Sequence, residues 1–480
     1  MSWETVIGLE VHVQLSTRTK MFCGDRTTFG DPPNTNVCPV CLGLPGALPV
    51  PNAEAIRLAT RAALALGCTV QETSVFARKN YFYPDLPKGY QISQFDKPLA
   101  IGGALSFDSP ERGRIRVGIT RLHVEEDAGK LLHDRFPGKT AVDLNRAGIP
   151  LAEIVSEPDL RTPGEARAYL ATLRQILIYA GVSECSMEQG SLRVDANISI
   201  RRPGESRLGT KTEVKNMNSF ANVERALEAE RERQIGLLES GGRVEQVTLL
   251  FNAATGKVKP TRSKEESHDY RYFPDPDLPP LVLSPTWIAE QRAALPELPE
   301  AKRSRLESAY AIPAYDAKVI TGDVALAEYF ESVVGAGADP KVAANWVMGE
   351  VMTTYNETGR FPVAAARLAG LIQLVAAGTV SHQAAKRVYA EMASSDQDPG
   401  ATAERLGLIQ VSDQAALTGW VEEVLAAHPD EVERFKAGET KLMGFFVGQV
   451  MKHSKGKADP KAVQPVLSSR LRIAAGTGAP

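Results

Sequence analysis

Apolar residues recur with period two through roughly the first 290 positions of this chain and with helical spacing from about residue 295 onward. That switch constrains the fold more than any other feature, because a strand pattern cannot sit as a helix, nor the reverse. Thr5 to Leu15 places Ile7, Leu9, Val11, Val13 and Leu15 on one face and Gly8, Glu10, His12 and Gln14 on the other. Leu192 to Arg201 repeats the arrangement, with Arg193, Asp195, Asn197 and Ser199 on the polar face, and Lys211, Glu213 and Lys215 form a third polar row. One face of each strand is core, and the other is available for chemistry. Among these strands Thr162, Pro163 and Glu165 make a capping box, Leu170, Leu173 and Leu177 a buried stripe, and Gly181 a stop for one scaffold helix. The Pro-rich run Pro274 to Pro280 and Leu295-Pro-Glu-Leu-Pro mark a boundary near 295. Beyond it, Val324 to Val334, Ala343 to Met352 and Val363 to Ala377 have helical spacing. The expected fold class is α+β: a β-rich domain over 1–295, an all-α domain over 296–405 and a small all-α tail over 406–480.

A chain of 480 residues is too long for one core. Its 43% hydrophobic and 24% charged residues exclude a mainly disordered, collagenous or disulfide-scaffold chain. The net charge of -3 means that a nucleic-acid surface must be a local patch. The tail supplies one, carrying Lys441, Lys452, Lys455, Lys457, Lys461, Arg470 and Arg472 against Asp459; the plainer alternative is a solvated helix face. No apolar run is long enough to span a bilayer, and the N-terminus lacks the basic and apolar regions of a signal peptide, so a soluble, cytoplasmic protein is expected. Five cysteines, an odd and sparse set, fit a reducing compartment.

Glu10 and His12 leave one strand face together and can share a divalent cation. His123-Val-Glu-Glu-Asp-Ala-Gly-Lys130 adds further carboxylates at the end of the strand-like stretch Arg114 to Val124. Each alone reads first as a solvated polar face or acidic loop. Together Glu10, His12, Glu125, Asp195 and Glu213 form an oxygen-rich set with one imidazole, which suits Mg²⁺ or Mn²⁺ better than zinc and points to phosphate chemistry. Ala77 to Gln94 interleaves Arg78, Lys79 and Lys88 with Tyr81, Phe82, Tyr83 and Tyr90, and His268 to Asp277 mixes His268, Asp269, Arg271 and Asp275 with aromatic rings. Cations there can hold phosphates while Tyr81 and Tyr83 pack a base, with Arg271 a further nucleotide-binding candidate; an aromatic-anchored scaffold is the equal alternative. Cys23, Cys38 and Cys41 form most of a zinc ribbon, with Asp25 as an oxygen donor, or else a metal-free knuckle. There is neither a Gly-x-x-x-x-Gly-Lys-Ser/Thr loop nor a Gly-x-Ser-x-Gly elbow.

Ile7-Gly-Leu-Glu-Val-His-Val-Gln-Leu15, Pro33-Asn-Thr, Cys38-Pro-Val-Cys-Leu-Gly-Leu-Pro-Gly46, Lys79-Asn-Tyr-Phe-Tyr-Pro-Asp85, Glu125-Glu-Asp-Ala-Gly-Lys130, Asp143-Leu-Asn-Arg-Ala-Gly-Ile-Pro150, Lys215-Asn-Met-Asn-Ser-Phe220 and Asp269-Tyr-Arg-Tyr-Phe-Pro274 together closely resemble the B subunits of the glutamyl/aspartyl-tRNA amidotransferases. The resemblance implies a ligase: a cradle domain, a helical domain and a tRNA-binding tail in a heterotrimer with an amidase A subunit and a C subunit. It implies that ATP and Mg²⁺ convert the side-chain carboxylate of Glu-tRNA(Gln) or Asp-tRNA(Asn) to an acyl phosphate, which ammonia from the A subunit displaces. Under it, Glu10, His12, Glu125, Asp195 and Glu213 become magnesium ligands or their supports, Lys79 and Lys88 steady phosphate or line the ammonia path, and Glu125 deprotonates ammonium. Lys441, Lys452, Lys455, Lys457 and Arg470 then meet tRNA(Gln) or tRNA(Asn), and a non-discriminating aminoacyl-tRNA synthetase is a further partner. Asp25 stands where zinc-binding members carry a cysteine, which makes zinc doubtful. The competing classes are a non-catalytic tRNA-binding scaffold and a metal-dependent phosphohydrolase.

Overall fold

The computed structural model describes residues 3–261, 270–410, 414–454 and 458–473, which divide into two compact units, Met1–Pro299 and Glu300–Pro480. In the first, the described residues build a ten-stranded sheet. Its strands run in the order Lys257–Pro260, Thr248–Asn252, Thr212–Lys215, Leu192–Arg201, Glu4–Gln14, Pro150–Ser156, Gly113–Glu126, Ala100–Ile101 and Thr69–Val70, with Ala104–Ser109 paired beside Gly113–Glu126. Neighbours are antiparallel except Thr212–Lys215 with Thr248–Asn252. Ile7, Leu9, Val11, Val13 and Leu15 are all buried, as the alternation requires. They pack with Leu170, Leu173 and Leu177 of helix Pro163–Tyr179 and with Val223, Ala226 and Leu227 of helix Phe220–Glu239. Each such side chain contributes about 1.5–3 kcal/mol on burial. Helices thus cover the apolar face of the sheet, and the chemistry falls to the other.

The capping box forms with a difference. Thr162 Oγ1 accepts from the Glu165 amide at 3.1 Å, but Glu165 reaches back one residue further than expected, to the Arg161 amide at 2.7 Å, and also pairs with Arg112. Gly181, at φ +64°, follows the last turn in the left-handed conformation glycine tolerates. Helix Phe220–Glu239 is the longest element that apolar spacing does not show. Two of its buried positions are polar: Glu230 accepts from Thr212 Oγ1 at 2.8 Å and Gln234 donates to the same hydroxyl at 2.9 Å.

The second unit is helical. One core gathers Leu306, Phe330, Trp346, Leu368 and Val388, and another gathers Leu417, Val421, Phe446, Val450 and Leu467. The expected helix at Val324 is Val324–Gly335, and that at Val363 is Ala365–Ala376. Ala343 to Met352 is not one regular helix: Pro340–Trp346 passes through a π turn at Val347–Val351 into Met352–Thr358.

Candidate active site

The register of four strands assembles a row of polar side chains on the open face. His12 lies opposite Arg193 on one side and Glu153 on the other, and Glu153 lies opposite His123. Glu125 is two residues beyond His123 on the same face. His12 Nε2 is 3.2 Å from Glu153 and 3.6 Å from Glu125, and His123 Nε2 is 3.2 Å from Glu153 and 3.5 Å from Glu125. Ser93 Oγ donates to Glu125 at 3.0 Å. Burial works against charge on both carboxylates, but the two imidazoles hold Glu125 below the usual carboxylate range and Glu153 well below it. Conversely, burial would depress the imidazoles, yet the carboxylates raise His12 and lift His123 to about 9.

These groups fit a divalent cation. One donor atom from each of His12, Glu125 and Glu153 lies within 4.8 Å of the others. Neither buried nitrogen of His123 is in hydrogen-bond geometry with any group, so donor capacity is left over. Ionised oxygens with one imidazole suit Mg²⁺, which retains water in its remaining positions. Glu10, Asp195 and Glu213 share the same face but lie outside this group. Glu10 accepts from Asn197 at 3.0 Å, while Lys215 Nζ clamps Asp195 at 2.5 Å and Glu213 at 3.0 Å.

The two lysines of the aromatic segment part company. Burial would depress Lys79, but the charges of Glu125 and Glu153 and the Tyr272 and Tyr270 hydroxyls raise its pKa, and its ammonium stands 4.8 Å over the Tyr270 ring and 5.9 Å over Tyr81. Lys88 is instead buried against Glu126, a carboxylate that also accepts from the Ile92 amide at 2.9 Å. Tyr83 and Arg271 are exposed, Arg271 at φ +44°. His268 and Asp269 lie outside the described residues. Glu153 was not legible as a site residue; its only signal is one carboxylate inside the apolar run Ile149 to Val155.

Below this row, Asp127 is buried and accepts from Arg193 at 2.9 Å and from Gln14 at 3.0 Å, with Arg146 at 3.7 Å. Arg146 also donates to the carbonyls of Ala128 at 2.9 Å and Gly129 at 2.6 Å. The loop carrying Arg146 is tied to the cysteine knuckle: Asn36 N donates to Asn145 Oδ1 at 2.9 Å, and Asn145 Nδ2 donates to Pro32 O at 2.7 Å. Within the knuckle, Cys23, Asp25, Cys38 and Cys41 place one donor atom each within 4.8 Å of one another. The Cys23 thiol lowers the Cys41 pKa, and that bond together with burial raises Cys23. The fully buried ammonium of Lys20 donates to Cys41 Sγ at 3.3 Å and to Asn36 O at 2.6 Å.

In the tail, Lys441, Lys452 and Arg470 are exposed, with Arg470 paired to Glu422 at 2.8 Å; Lys455 and Lys457 lie outside the described residues. No helix among the described residues is long and apolar enough to cross a membrane.

A helix-backed sheet with carboxylates and imidazoles gathered on its open face defines a class: a β-rich domain that concentrates ionised groups on one side of a sheet. Known proteins narrow the class to a family. Residues 5–289 match the model described as the GatB/GatE catalytic domain, and residues 328–471 match the GatB domain. The B subunit of the aspartyl/glutamyl-tRNA(Asn/Gln) amidotransferase of Geobacter sulfurreducens is 53% identical over 98% of this chain and all of its own length. Its namesake from Moorella thermoacetica is also 53% identical, again over 98% of this chain and all of its own length, and that of Thermosynechococcus vestitus is 52% identical over 98% and 97% respectively. The chain belongs to the family of these amidotransferase B subunits.

Proposed function

We propose that the chain is the carboxylate-activating subunit of a ligase that converts Glu-tRNA(Gln) to Gln-tRNA(Gln) and Asp-tRNA(Asn) to Asn-tRNA(Asn), working with an amidase A subunit and a C subunit in the cytoplasm. The observation that carries the reading is the buried group His12, Glu125 and Glu153, on the catalytic-domain half of a chain that matches its relatives end to end. A side-chain carboxylate is a poor electrophile at neutral pH. Its oxygen attacks the γ-phosphoryl group of ATP, ADP leaves, ammonia adds to the acyl carbon, and phosphate departs as the amide forms. Mg²⁺ bound there would neutralise charge on the transferring phosphoryl group. His12, Glu125 and Glu153 would hold it, and His123 would orient both carboxylates from behind. Lys79 attracts the anionic phosphoryl group, and Glu125 takes the proton lost by the attacking nitrogen. Asp127 holds Arg193, which lies across the strand pair from His12.

The first unit carries this chemistry, and residues 406–480 present Lys441, Lys452 and Arg470 to tRNA, whose backbone is read by charge and shape. A scaffold needs no ionised carboxylates buried beside two imidazoles, and nothing observed favours a simple phosphohydrolase. Zinc at the knuckle is the weaker proposal. Three thiolates and Asp25 fill four tetrahedral positions, yet the Lys20 ammonium already compensates Cys41 without an ion. The test is reconstitution with the A and C subunits, glutamine, ATP, Mg²⁺ and either misacylated tRNA, following amidated product and ADP, with Glu125→Ala alongside. Product and ADP rising together, both lost in the variant, is the expected outcome; full activity in Glu125→Ala sinks the role given to Glu125.

A further inference from the structure

Several aromatic rings of the first unit face water. Phe82 is 85% exposed and Phe95 57%, with Tyr83 and Phe273 also exposed. Burying such rings is favourable, so a ligand that covers them gains affinity. Phe95 is the best defined. Its ring stacks on Tyr272 with centroids 4.3 Å apart and planes 8° from parallel. Tyr272 also makes an edge contact with Tyr270 at 6.2 Å, and Tyr270 lies under the Lys79 ammonium at 4.8 Å. Phe95 follows two residues after Ser93, whose hydroxyl donates to Glu125; that is about 7 Å of extended chain. A parallel-stacked pair whose Phe95 ring is more than half exposed is therefore linked through Tyr270 to Lys79, and along the chain through Ser93 to Glu125.

We infer that the open face of Phe95 is the platform on which the unpaired terminal base of the aminoacylated RNA stacks. This rests on the functional reading above. The amino acid is joined to the terminal ribose by a single ester, so when its side-chain carboxylate reaches Glu125 and Glu153 the terminal base is confined to the mouth of the group. The wall there is aromatic, and a flat base completes a stack that two rings have begun. Aromatic stacking of this kind needs no base-edge readout and serves any RNA that brings the right amino acid.

The test uses the complex with its partner subunits. Phe95→Leu keeps apolar bulk but removes the π face; it is expected to raise KM for aminoacyl-tRNA about ten-fold or more, with kcat far less affected, and Phe95→Trp is expected to restore KM. As a second measurement, unacylated hairpins ending in adenosine or in an abasic nucleotide compete for the site. The wild type is expected to prefer the adenosine end, and Phe95→Leu to lose that preference. Wild-type KM in Phe95→Leu, or a wild-type complex blind to the abasic end, overturns the platform. So does failure of Phe95→Leu to assemble with the partner subunits, which would make this surface a protein interface. A wild-type complex that yields no amidated product sinks the functional reading instead, and the hairpin comparison still decides the platform.

Discussion

Lys88→Met removes an ammonium while keeping an unbranched stem of similar reach, so it isolates the charge. In the fold that charge has one evident task. Lys88 and Glu126 are ion-paired with side chains only 8% and 5% exposed, and the lysine stem lies against the backbone of Gly43, where an added Cβ would meet its Cγ at 2.5 Å. Removing one partner of a buried pair leaves an uncompensated charge and costs about 3–5 kcal/mol. The Ile92 amide still serves Glu126 and offsets about 1 kcal/mol of that, so the net loss should fall near 2–4 kcal/mol. For a unit of this size about 2 °C accompanies each kcal/mol, giving a fall in Tm of about 4–8 °C in calorimetry of the assembled complex. Lys88→Met/Glu126→Gln should recover most of it, because no buried charge is then left unpaired. At temperatures where it stays folded, Lys88→Met should keep most of its amidation activity. Unchanged Tm with amidation abolished would refute this reasoning and place the Lys88 ammonium on the reacting groups.

Glu153→Gln keeps the shape of the site but removes an anionic oxygen; amidation should fall about 10–100-fold and need more Mg²⁺ to saturate, which a magnesium titration of the rate would show. Lys79→Met should lower amidation with a smaller change in Tm than Lys88→Met, read in the same two assays. Asp25→Cys completes four thiolates and should hold one zinc per chain against a chelator; zinc content no higher than wild type would count against a preformed tetrahedral pocket. Burial raises the Glu165 carboxyl, but Arg112 and the Arg161 amide more than offset it and hold the group below the ordinary range. Its stabilising contribution is therefore present above the ordinary glutamate pKa and lost as pH falls through the depressed one. The Tm of wild type should fall more steeply on acidification than that of Glu165→Gln, and parallel curves would contradict the linkage.

The alternating strands at Thr5 and Leu192 were legible because period two is a local signal, needing no partner to be read. Their polar faces were legible for the same reason, and so were Glu10, His12 and Glu125. Glu153 was not, because a single carboxylate in an apolar run gains meaning only when the register sets it between His12 and His123. Lys79 and Lys88 look alike in sequence, two cations in one aromatic segment, and only the fold sends one to the open face and the other into a buried pair. Helix Phe220–Glu239 hid for a related reason: Glu230 and Gln234 break its apolar stripe, and what satisfies them is a threonine on the strand just before the helix. The Cys-x-x-Cys turn was plain in sequence, whereas the lysine beside its thiols belongs to another stretch of chain.

The knuckle behaves as a splint for the active site. Its Asn36 and Pro32 grip Asn145, the next residue is Arg146, and Arg146 bears on Asp127, which sets Arg193 beside His12. A strain introduced among the cysteines has a short mechanical route to the imidazole, and each joint on that route is a bond to backbone or a charged pair rather than a yielding apolar contact. Alterations of the knuckle should therefore announce themselves as changes in turnover before they appear as loss of folding, and Asp25→Cys is to be assayed for its rate as well as for its metal.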